Sequence, residues 1–86
     1  MENKRIAVAA IVIDEPTAVP EVNRVLHENS SIIIGRMGIP YRERGISLIS
    51  VALDAEPDRI SRLTGRLGQI SGVSVKAALS KKQTEE

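Results

Sequence analysis

Residues 6–13 form an unbroken run of eight apolar residues, and this run constrains the chain more than any other stretch. It is far shorter than the roughly 20 residues needed to cross a bilayer as a helix. Its β-branched content suits a strand. Successive strand residues point to opposite faces. Ile6, Val8, Ala10 and Val12 therefore line one side, and Ala7, Ala9, Ile11 and Ile13 the other. Strands apolar on both sides are normally covered on both sides, so the fold needs two sources of cover. Lys4 and Arg5 ahead of the run resemble the start of a signal peptide, but Asp14-Glu15-Pro16 follows with no cleavage site. A strand in a cytoplasmic protein, with no membrane association, is the expectation.

The rest of the pattern supplies one of the two covers. Asp14-Glu15-Pro16-Thr17 breaks the first strand (residues 4–13), with Thr17 as the expected cap of a helix. Ala18, Val22, Val25 and Leu26 then fall at helical spacing, and Pro20 sits in the first turn, where its missing N–H costs nothing. A second strand is expected over residues 32–37, a polar connection bounded by Gly and Pro over 38–45, and a third strand over 45–54. Pro57 suits the first position of a second helix whose apolar stripe is Ile60, Leu63, Leu67 and Ile70. After Ser71-Gly72, the residues Val73, Val75, Ala77 and Leu79 alternate with Ser74, Lys76, Ala78 and Ser80, a strand with one wet face. The order β-α-β-β-α-β with right-handed crossovers gives an α+β, ferredoxin-like domain: a four-stranded antiparallel sheet, strands one and three central, both helices on one face. This domain is expected to span residues 1–80, with 81–86 as a charged, frayed tail.

The second cover is expected from other copies of the chain. A domain of 86 residues buries only roughly 60% of its unfolded surface, and this one has no cysteine to staple it. Contiguous apolar patches above a few hundred Å² usually mark interfaces, so a homo-oligomer, dimer or tetramer, is expected. Ile11, Ile13, Ile49, Val51 and Leu53 are assigned to that interface.

Catalytic and cofactor chemistry is not visible. With one His and no Cys, a chain of this kind offers neither a thiolate site nor a cluster of imidazoles, and no metal or cofactor is expected. His27 falls one residue beyond the apolar stripe and reads as a partly exposed helix histidine. Asp14 and Glu15 read as a strand terminator and helix-dipole partner rather than as an acid–base pair, and they would repel a phosphate at that turn. The net charge of +1 and the lack of any aromatic residue on the central strands argue against nucleic acid as a partner on its own. Dense polar chemistry is confined to residues 36–45. Arg36, Tyr41, Arg42 and Arg44 are the candidates there for gripping a small carboxylate or phosphate effector, or a protein partner. The simpler alternative is a solvated turn with Glu43 paired to an arginine. Gly65 and Gly68 each cost the second helix about 1 kcal/mol relative to alanine, which suggests close backbone approach. Arg59, Arg62 and Arg66 on the same helix offer a weaker route to DNA contact.

The segments 33–47, with its Gly35-Arg36-Met37-Gly38-Ile39-Pro40-Tyr41 block, 63–68 (Leu-Thr-Gly-Arg-Leu-Gly) and 72–76 (Gly-Val-Ser-Val-Lys) resemble a family of small proteins described as iron-only hydrogenase system regulators. That family is described as ACT-like, similar to the C-terminal sensing domain of the nickel-responsive repressor. The resemblance implies homo-oligomers and a non-enzymatic, ligand-sensing role in regulation, linked to hydrogenase in anaerobic bacteria. The repressor's metal ligands, histidines and a cysteine, have no counterpart set in this sequence. Its DNA-binding ribbon-helix-helix segment is expected to be absent, since the first strand begins within a few residues of Met1.

Overall fold

A computed structural model describes residues 3–82. The residues expected to form the end of the tail, 83–86, lie outside the described residues, as do 1 and 2. Strand β1 (Arg5–Ile13) leads through a short 3-10 turn into α1 (Val19–Glu28), followed by β2 (Ile33–Tyr41), β3 (Ile46–Ala55), α2 (Pro57–Gly68) and β4 (Val73–Leu79). The sheet order is β2-β3-β1-β4, every pair antiparallel, with β1 and β3 central. This is the ferredoxin-like arrangement, with both helices on one face.

Which side is covered follows from burial. Ala7, Ala9, Ile11 and Ile13 of β1 and Ile49, Val51, Leu53 and Ala55 of β3 are all buried. They pack against Ala18, Val22, Val25 and Leu26 around α1 and Ile60, Leu63 and Leu67 of α2. The cluster is built from Ile, Val, Leu and Ala alone, without one aromatic ring. Ile11, Ile13, Ile49, Val51 and Leu53 belong to this core, none more than 7% exposed. The interface assignment made for these five is therefore corrected: the helices of the same chain already cover them. The residues left open are those of the other parity.

Three local expectations also change. Thr17 caps nothing: it lies within the 3-10 turn Pro16–Ala18, and α1 starts two residues later with no side-chain cap. Strand β2 continues through Gly38, Ile39 and Pro40 to Tyr41, so half of the expected connection is strand. Pro40 is tolerated because β2 is an edge strand, where an N–H can be spared. The turn that remains is Arg42–Arg44, closed by Gly45 at φ 67°. Gly65 and Gly68 approach nothing, since a Cβ built at either would meet no atom within 4 Å. Gly72 is different. It has φ 82°, its carbonyl accepts the Asp14 N–H at 2.7 Å, and a Cβ there would sit 2.7 Å from Glu15 Cγ. Only glycine fits this start of β4 without strain.

Candidate functional site: the open sheet face

The open face carries Ile6, Val8, Ala10 and Val12 from β1 and Leu48, Ser50, Ala52 and Asp54 from β3. Register places Met37 opposite Ser50, Ile39 opposite Leu48 and Tyr41 opposite Ile46. On the other flank, Ser74, Lys76 and Ala78 of β4 lie opposite Val12, Ala10 and Val8. Six large side chains of this face, Ile6, Val8, Met37, Ile39, Tyr41 and Leu48, are each between 38% and 62% exposed. They lie on neighbouring strands and form one contiguous apolar patch, and a patch of this kind on a small domain usually marks an interface. Among the described residues the charged groups on this side lie at its margins: Lys76 on the edge strand β4, and Asp54 at the end of β3, where it lines a hollow with Lys4. Among the described residues this is the broadest apolar surface, and it runs from the β4 flank to the edge strand β2.

The four residues expected to grip a ligand do not converge. Arg36 lies opposite Val51, on the helix-covered side of β2, and donates a hydrogen bond to Asn23 Oδ1 of α1. Tyr41 points to the opposite side of the same strand and extends the open apolar face. Arg42 and Arg44 are exposed in the turn beyond it, and Glu43 makes no ion pair among the described residues. Asn23 and Arg36 help line a groove of about 220 Å³ between α1 and β2, with Ile39, Pro40 and Ser47. Sequence reading missed this groove because it treated residues 38–41 as loop.

Charges elsewhere sit on the outer helix surface. Arg24 bridges Glu21 and Glu28, and Arg66 reaches across from α2 to Glu28 at 2.8 Å. The Arg24 guanidinium, through its hydrogen bond, holds the Glu21 carboxyl below its ordinary 4.5, and the same contact raises Arg24. His27 is exposed. No group of three or more His, Cys, Asp or Glu that could hold a metal ion occurs among the described residues. No helix among them is long and apolar enough to cross a membrane.

Comparison with known proteins agrees with this architecture. Residues 5–77 match the family model of the TM1266-like proteins, described provisionally as regulators of the iron-only hydrogenase system. The chain belongs to this family. Among solved structures it resembles the uncharacterized protein TM1266 of Thermotoga maritima, with 42% identity and a TM-score of 0.86, covering 91% of this chain and 99% of that one. The C-terminal domain of the MgtC protein from Mycobacterium tuberculosis shares the fold at 17% identity and a TM-score of 0.72, covering 100% of this chain and 98% of that one. A formyltetrahydrofolate deformylase from Pseudomonas putida shares it at 15% identity and a TM-score of 0.61, over 85% of this chain and 28% of that one. At these last two identities the likeness speaks to fold alone. No protein of curated function matches significantly.

Proposed function

We propose that this chain is a non-enzymatic regulatory module that acts by binding, as a symmetric homo-oligomer assembled through its open sheet face. The observation that carries the reading is the apolar surface of Ile6, Val8, Met37, Ile39 and Leu48, half-exposed on a domain too small to spare that burial. A second copy is the favoured occupant for two reasons. The apolar patch spans both central strands and the edge strand β2, and Lys76 and Asp54 lie at its margins, so it can meet itself with little like-charge conflict. Membership of a family described as hydrogenase system regulators supports a regulatory rather than a catalytic role. On this reading the effector, an amino acid or other small carboxylate, is held where two copies meet. The residues expected to bind it do not gather within one chain.

The reading is tested by a thermal-shift screen with amino acids and small carboxylates, run on the native protein and on an open-face variant. An effector that raises the melting temperature of the native protein but not of the variant supports it. A screen with no response in either favours a module that docks on a protein partner through the exposed Arg42 and Arg44.

A further inference from the structure

We infer that the cleft between the two helices, on the side of the molecule away from the open face, is a phosphate-binding site built from Arg59, Arg62 and Arg66. The cleft has a volume of about 380 Å³ and is lined by these three arginines, Leu63 and Asn29. It does not depend on assembly through the sheet, so it stands apart from the function proposed above.

The arrangement begins with spacing. Residues 59, 62 and 66 stand at i, i+3 and i+7, so their side chains share one stripe of α2, beside the buried stripe of Ile60, Leu63 and Leu67. Like charges at this spacing oppose helix formation, and an anion in the cleft would remove the repulsion. The local carboxylates do so only at Arg66. Glu21 is taken by Arg24, and Glu28 is shared between Arg24 and Arg66. Arg62 has no hydrogen bond or carboxylate partner among the described residues, although Asp58 lies one helical turn before it. Arg59 has only a 3.3 Å contact to Ser31 Oγ. Arg59 also lines a second hollow, with Asp54, Glu56, Lys4 and Ser31, but it forms an ion pair with neither carboxylate.

Two guanidinium groups are thus left over beside a third that Glu28 holds in place. Their planar forks match the oxygens of a phosphate, whose three or four acceptor oxygens and higher charge let it meet more than one guanidinium at once. The phosphate could be carried by a small molecule or by a nucleic-acid backbone, and the chemistry of the cleft is the same for both.

The experiment titrates the full-length protein with inorganic phosphate and, separately, with a short duplex DNA, following the arginine Nε–Hε signals by NMR. The double variant R59Q/R62Q is compared with R42Q/R44Q, which removes the same charge at the hairpin turn; Arg66 is left intact to preserve its bridge to Glu28. Melting curves establish that both variants fold. The expected result is saturable movement of the Arg59, Arg62 and Arg66 signals with phosphate. Affinity should fall by about tenfold or more in R59Q/R62Q, as loss of charge-assisted hydrogen bonds implies, and hold in R42Q/R44Q. Binding of DNA alone, with the same dependence on Arg59 and Arg62 and a steep loss with salt, would keep the site and make a nucleic-acid backbone its source. Equal weakening in both variants, or no saturable response to either probe, would overturn the inference.

Discussion

Replacing Val8 with lysine should separate the proposed assembly from folding. Val8 lies on the central strand β1, opposite Ala52 and Ala78, and is 48% exposed. Full burial of a valine side chain is worth about 1.5 kcal/mol, so the half already buried in one chain contributes under about 1 kcal/mol. Lysine keeps part of that through its stem, with the ammonium in water. The isolated fold should therefore lose about 1 kcal/mol or less. In a two-fold assembly each interface receives the change twice, and two ammonium groups must be desolvated or forced outward. Each costs several kcal/mol when buried without a partner. Even about 3 kcal/mol for the pair raises Kd more than about a hundredfold, since 1.4 kcal/mol is a factor of ten. Light scattering gives the mass and urea denaturation gives the stability. Val8→Lys should dissociate with little loss of fold, whereas Val51→Lys on the covered face should unfold. An unchanged mass for Val8→Lys, or unfolding as severe as that of Val51→Lys, would refute the reasoning.

Three further outcomes follow from single residues. Gly72→Ala should destabilise by about 1–2 kcal/mol from the left-handed backbone alone, with more from the contact against Glu15; a Glu15→Ala background should relieve only the second part in denaturation curves. Gly65→Ala should stabilise by about 1 kcal/mol, because the new methyl meets nothing and the helix gains propensity. Glu21 has a depressed pKa, so its contribution to stability is present above its ordinary 4.5 and is lost as pH falls through the lowered value. Glu21→Gln should accordingly flatten the acid limb of stability against pH below about 4.5, an effect that salt weakens.

The element order was legible because the helical stripes and the β-branched runs are separated by Gly, Pro and polar breaks. Ala18, Val22, Val25 and Leu26 make a helical stripe, and the shortness and β-branched content of residues 6–13 favour a strand. The covered face was harder, since both parities of β1 are apolar. A signal existed in β3: Ser50 and Asp54 share a parity with Leu48 and Ala52, while Ile49, Val51, Leu53 and Ala55 contain no polar residue. The wet residues of β4, Ser74 and Lys76, belong to the same open face, but only the register of β1 with β4 reveals it. Strand β2 was cut short because Gly38 and Pro40 are turn residues by composition, and only its place at the sheet edge makes them acceptable. The arginines of residues 36–45 looked like one cluster in sequence. Strand geometry sends Arg36 and Tyr41 to opposite faces, and no local pattern of residue types encodes that once the segment is taken for loop. The cleft lined by Arg59, Arg62 and Arg66 was visible as a stripe, while the absence of carboxylate partners for Arg59 and Arg62 needed the packing of α1 beside α2.

Closure of the open sheet face by a second copy is what the proposed function rests on. Native mass spectrometry of the full-length protein at micromolar concentration tests it most directly. A dimer or tetramer is predicted, and Val8→Lys should reduce it to single chains. A native protein that is monomeric throughout that range would leave the open face without the proposed partner and rule out assembly through it.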